Sequence, residues 1–150
     1  MECQVRDITM YYEEVGAGRP LLLLHGWPLD HRHIANDMEP LFADRIRWRR
    51  LYPDLPGMGR TRAADWITCQ DQMLDLVIDF IDTVAPGERF VVAGTSYGAY
   101  LARGLVHHRG AQIDGLLWKN TRPQRTSRSR SNPDPHPPPK GAMHAQQLVA

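Results

Sequence analysis

Gly94-Thr-Ser-Tyr-Gly98 is the stretch of this chain best suited to covalent chemistry. An apolar run at residues 90–93 leads into it, and residues 100–108 follow with helical spacing. A serine at a sharp strand-to-helix turn projects its hydroxyl clear of both elements. The helix N-terminus then offers partial positive charge to an oxyanion forming beside it. Such a turn needs small flanking residues, and Gly94 and Gly98 let the two backbones close on each other. Ser96 is therefore the candidate nucleophile. A second cluster, His25-Gly-Trp-Pro28, interrupts the apolar run 21–24 at its end.

Other patterns are weaker. Gly57-Met-Gly59 is no dinucleotide fingerprint, because Arg62 stands where the third glycine belongs. A phosphate-binding Gly-x-x-x-x-Gly-Lys-Ser/Thr run does not occur. His31-Arg-His33 and His107-His108 lack a carboxylate or third histidine at ligand spacing, so they read as solvated helix ends and no metal is expected. Arg45, Arg47, Arg49 and Arg50 read as surface charge that ion-pairs locally, without the aromatic platforms of a nucleic-acid site.

The elements that must position Ser96 follow from periodicity. Residues 3–15 suggest two short strands meeting near Arg6-Asp7, and residues 21–24 a strand buried on both faces. Ile34, Met38, Leu41 and Phe42 recur at helical spacing, with Pro40 ending or kinking that helix. Ile46, Trp48 and Tyr52 suit a strand that stops at Pro53, and residues 54–61 form a glycine-rich loop. Leu74, Val77, Ile78 and Ile81 mark an amphipathic helix with Asp71, Asp75, Asp79 and Asp82 on its wet side. Residues 113–118 make one more strand. Strands alternating with helices imply an α/β architecture with a largely parallel sheet.

The ordered motifs Leu-Leu-His-Gly-Trp-Pro, Asp-Leu-Pro-Gly-Met-Gly-Arg-Thr and Gly-Thr-Ser-Tyr-Gly resemble those of serine-dependent α/β-hydrolases, over residues 8 to 118. The resemblance implies a truncated α/β-hydrolase fold: a mostly parallel sheet of six strands with helices on both faces. It implies hydrolysis of an ester, amide or similar bond of a small-molecule substrate through an acyl-Ser96 intermediate, without a cofactor. The N–H groups of Trp27 and Tyr97 would form the oxyanion hole. In that family the triad runs serine, acid, histidine along the chain, so His25 is a loop organiser and not the base.

The remaining two triad members are hard to find. Downstream of Ser96 stand only Asp114 and Asp134 as acids, and His107, His108, His136 and His144 as bases. Asp114 begins a strand and so lies at the wrong end of the sheet, while His107 and His108 lie far along the helix. An inactive or nearly inactive chain is the expectation.

Composition divides the chain near residue 118. Residues 1–118 carry twelve Arg against sixteen Asp and Glu, whereas residues 119–150 carry four Arg and two Lys against one Asp. Six of the twelve prolines fall between 121 and 140. An N-terminal hydrolase portion, 1–118, with a disordered Arg/Ser/Pro-rich tail after it, 119–150, is expected. Two accounts of the tail compete: out-of-frame translation, favoured by the abruptness of the change, and a genuine arm binding an acidic partner. The second would make the chain a binding module for a polyanion. Apart from that alternative no nucleic acid is expected, and no membrane: apolar runs are short and no leader-like start occurs. On the same grounds a cytoplasmic location is the default expectation, and two isolated cysteines, Cys3 and Cys69, point to free thiols.

Overall fold

The computed structural model describes residues 1–45 and 47–119. Six strands, β1 (Glu2–Val5), β2 (Ile8–Val15), β3 (Arg19–Leu24), β4 (Trp48–Pro53), β5 (Phe90–Thr95) and β6 (Ile113–Lys119), form one sheet in the order β1-β2-β4-β3-β5-β6. The first two pairings are antiparallel, and β4, β3, β5 and β6 run parallel. Three helices cover the sheet: α1 (His31–Met38), α2 (Gln70–Val84) and α3 (Tyr97–Arg109). The expected α/β sheet is thus present. The strand residue expected at Ile46 lies outside the described residues, as does the tail beyond Lys119.

Strand β3 explains the layering. Leu22 and Leu24 pack with Leu51, Val92 and the inner faces of α2 and α3, whereas Leu21 and Leu23 pack with Val91, Tyr52 and Ile34 of α1. All four leucines are buried, because a parallel strand with helices on both sides has no wet face. Helix α1 ends at Met38, and a 3-10 turn, Glu39–Phe42, carries Pro40 near its start, where its missing N–H costs nothing. Met73, Leu76, Val77, Phe80 and Ile81 of α2 are buried. Its acidic face carries ion pairs: Arg6 meets Asp75 and Asp79, and Arg109 meets Asp82. Among the described residues no helix is long and apolar enough to cross a membrane.

Arg50 corrects the expectation of a purely surface arginine cluster. Strand alternation puts it on the same face as Tyr52, and it is buried. Its guanidinium grips Glu39 through Nε to Oε1 at 2.6 Å and Nη2 to Oε2 at 2.9 Å, and lies over the Phe42 ring. The Tyr52 hydroxyl donates to the same carboxylate at 2.5 Å. Arg49 is likewise half-buried, its Nη2 donating to the Val84 carbonyl at 2.9 Å and pairing with Glu88 at 3.3 Å, both distant in sequence.

Burial works to raise the Glu39 carboxyl pKa, but the hydrogen bonds from Arg50 and Tyr52 outweigh it and hold the group below the usual carboxylate range. A depressed folded-state pKa contributes stability above the unfolded value, and that stability is lost as pH falls through the folded one. Glu39→Gln is therefore expected to cost about 1 kcal/mol at neutral pH, discounted for partial exposure. The gap should close in acid, as thermal midpoints of both proteins across pH would show. A constant gap would place the effect in packing instead.

Candidate active site

Ser96 stands between the last residue of β5 and the first of α3, with φ 49° and ψ −113°. It is one of two non-glycine residues with positive φ among those described, and a strained, exposed serine at such a turn is aimed by the elements on either side. Its carbonyl accepts from the N–H of Ala99 at 3.0 Å and of Tyr100 at 3.2 Å, while its hydroxyl makes no capping bond.

The flanking glycines are demanded by contact. A Cβ on Gly94 would stand 2.4 Å from the Gly98 carbonyl carbon, and one on Gly98 would stand 2.1 Å from the Leu24 oxygen. Strand β5, the start of α3 and the end of β3 thus meet backbone to backbone.

The loop after β3 reaches the same place. A Cβ on Gly26 would lie 3.2 Å from Ser96 Cβ and 3.3 Å from the Thr95 oxygen. The Leu29 N–H closes a turn onto the Gly26 oxygen at 2.9 Å, and the Trp27 side chain is 65% exposed, so no core contact holds it back from the surface beside this loop. The Tyr97 ring stacks on Tyr100.

His25 is fully buried, and both its ring nitrogens are engaged. Nδ1 lies 3.0 Å from the Gly26 carbonyl oxygen, which can only accept, so Nδ1 carries the proton. Nε2 accepts the Leu55 N–H at 3.0 Å. Burial lowers the His25 pKa, against smaller raising effects from the Gly26 hydrogen bond and nearby Asp54. A neutral ring tying the loop after β3 to the loop after β4 is the arrangement of a loop organiser.

Sequence spacing concealed the second buried histidine. Its position suggests a solvated helix end, but His31 is buried, its ring 5.3 Å from that of Tyr11. Asp54, fully buried, accepts from the His31 backbone N–H and pairs with its Nδ1, both at 2.8 Å, and takes the Arg60 N–H at 2.9 Å on its other oxygen. Glu13 stands 3.5 Å from His31 Nε2. Gly59, at φ 55°, lets the loop wrap so tightly that a Cβ there would lie 2.3 Å from Asp54 Oδ2. Asp30, His31 and Asp54 bring ligand-type atoms within 4.8 Å of one another, although their oxygens already serve the bonds just described and the cap to Arg32. The carboxylate that the histidines lacked in sequence comes from twenty-three positions downstream.

Asp114 lies, as expected, at the opposite end of the sheet. It is the second residue of β6 and pairs with Arg19 at the start of β3 and with Arg89 just before β5. His107 and His108 are exposed in the last turn of α3, at the far end of the helix from Ser96. Among the described residues no histidine or carboxylate is hydrogen-bonded to the Ser96 hydroxyl.

The alpha/beta hydrolase family model matches residues 21–148. The AB hydrolase superfamily protein YisY of Bacillus subtilis is 34% identical over 111 residues, covering 73% of this chain and 40% of that protein. A pimeloyl-[acyl-carrier protein] methyl ester esterase of Legionella pneumophila is 28% identical over 110 residues, covering 73% of this chain and 41% of that one. Among solved structures, an alpha/beta superfamily hydrolase from Oenococcus oeni PSU-1 superposes with a TM-score of 0.70 at 33% identity, over 79% of this chain and 43% of its own. The chain spans about two fifths of the length of the curated relatives it matches.

Proposed function

This chain belongs to the α/β-hydrolase family, and from that premise we propose that Ser96 is the nucleophile of a serine hydrolase acting on a small carboxylic ester or related bond. The observation that carries this is the backbone of Ser96, an exposed residue strained at φ 49° with the Gly26 loop packed against it. Ser96 Oγ attacks the carbonyl carbon. The N–H groups of Trp27 and Tyr97 receive the oxyanion, and the α3 N-terminus adds its partial positive charge. The likeness to a methyl ester esterase favours esters over amides. No cofactor enters this chemistry, and nucleic acid has no part in it. Two free thiols, Cys3 and Cys69, suit a cytoplasmic setting.

The test is covalent labelling with an alkyl fluorophosphonate. Wild-type protein is expected to carry one label, mapped to Ser96, and Ser96→Ala to carry none there. Substituting Trp27→Pro removes one oxyanion donor and should slow labelling by roughly 10²–10³-fold. A folded protein left unlabelled at Ser96 would overturn the proposal.

A further inference from the structure

We infer that His31 and Glu13 form a binding site for a divalent transition-metal ion of the Zn²⁺ class, between β2 and the start of α1 and apart from Ser96.

The His31 ring sets the chemistry. Asp54 Oδ1 lies 2.8 Å from Nδ1 and can only accept, so Nδ1 carries the ring proton and Nε2 keeps its lone pair. Asp54 is not free to turn away, because the same carboxylate holds the backbone N–H groups of His31 and Arg60. The Tyr11 ring, tilted against the imidazole at 5.3 Å, packs on its face. The His31 side chain is 8% exposed, and among the described residues no hydrogen-bond donor reaches Nε2.

What Nε2 faces is a second acceptor. Glu13 stands two residues beyond Tyr11 on the same face of β2, and its Oε2 lies 3.5 Å from Nε2. A proton shared between such a nitrogen and a carboxylate draws them to about 2.7–2.9 Å. A tetrahedral Zn²⁺ holds them further apart. With Zn–N of about 2.0–2.1 Å and Zn–O of about 2.0–2.2 Å, the two donor atoms sit about 3.3–3.5 Å from each other. The observed separation matches the metal and is too long for the proton. Asp54 then acts as outer-shell carboxylates do at metal centres, fixing the tautomer and making the ligand nitrogen more basic.

The surroundings admit a cation. Arg32, next in the chain, does not occupy the place, because its guanidinium is held by Asp30. Glu13 borders a cleft of about 390 Å³ against α1, which leaves room for waters to complete the coordination. One imidazole with one carboxylate suits Zn²⁺ and its first-row neighbours over Mg²⁺ or Ca²⁺, which take oxygen ligands. A bound ion would tie β2 to α1.

Zn²⁺ titration of the full chain, freed of metal with a chelator, tests this by calorimetry and by thermal melting. Wild-type protein is expected to bind one Zn²⁺ that Glu13→Gln binds about tenfold more weakly or worse. Glu13 is half-exposed, so this change leaves the core intact. Glu13→His supplies another ligand atom and should keep the site. Zn²⁺ should raise the melting midpoint of wild type and Glu13→His more than that of Glu13→Gln, while Mg²⁺ should raise none of them. Co²⁺ should give the visible absorption of a low-coordinate site in wild type and lose it in Glu13→Gln. Binding at the other histidines or at the exposed Cys69 thiol would be equal in all three proteins. Isotherms, melting shifts and Co²⁺ spectra that do not change at Glu13→Gln would overturn the inference and leave His31 and Glu13 as a plain ion pair.

Discussion

Gly98→Ala is expected to destabilise this protein by about 3 kcal/mol or more and to lower its thermal midpoint markedly. In an exposed helix the same substitution is favourable by about 1 kcal/mol, because glycine is the poorer helix former. Here the sign reverses. The new Cβ would lie 2.1 Å from the Leu24 oxygen and 2.6 Å from the His25 oxygen, both backbone atoms. Leu24 pairs with Gly94 in the centre of the sheet, and a Cβ on Gly94 is blocked in turn by Gly98, so neither element can step aside alone. Overpacking of side chains costs about 1–3 kcal/mol and occasionally more. A clash with backbone on two elements belongs at the upper end, in a protein whose total stability is of order 5–15 kcal/mol. Gly110→Ala serves as the control: nothing lies within 4 Å of a Cβ there, and its change should stay within about 0.5 kcal/mol. Circular dichroism melts of both variants make the comparison. A Gly98→Ala midpoint close to wild type would mean that α3 does not sit against the end of β3 in solution.

Asp54→Ala is expected to cost about 3–5 kcal/mol, because removing the buried carboxylate leaves several donors unsatisfied at about 1–3 kcal/mol each. Three donors lose their acceptor: the His31 N–H, the His31 ring and the Arg60 N–H. Gly59 folds the loop directly over the carboxylate, so the vacated space is enclosed and polar. Asp54→Asn should fall between the two proteins. Its single carbonyl oxygen can serve His31, but its amide nitrogen cannot accept from Arg60. Chemical denaturation at neutral pH measures both variants. A loss in Asp54→Ala below about 1 kcal/mol would show that water replaces the carboxylate freely. The same variant should slow fluorophosphonate labelling of Ser96, since Asp54 anchors both the start of α1 and the loop whose Leu55 N–H holds His25.

Much of the fold was legible because its signals are local. The all-apolar Leu21–Leu24 run announced a strand buried on both faces, and the spacing of Leu74, Val77, Ile78 and Ile81 announced α2. The strand-to-helix turn at Ser96 was legible for the same reason. Two glycines flanking a serine, between an apolar run and a helix, describe a backbone shape that few other residue choices permit. Asp114 was correctly placed away from Ser96 because the start of a strand and the turn after its parallel neighbour lie at opposite ends of the sheet.

Sequence by itself thus determined the order and type of the elements and the position of Ser96, since periodicity and glycine placement act over a few residues. Tertiary structure alone decided which charges and rings meet. Arg50 looked like one more exposed arginine until strand alternation set it facing Glu39 and Tyr52 across the α1 side of the sheet. His31 lacked a carboxylate until β4 came to lie beside β3 and delivered Asp54 to the start of α1. The approach of Gly26 to Ser96 likewise exists only because β3 and β5 are neighbours, although the chain between them contains β4 and α2. Such pairings depend on strand order, and no spacing along the chain encodes a neighbour that arrives from dozens of residues away.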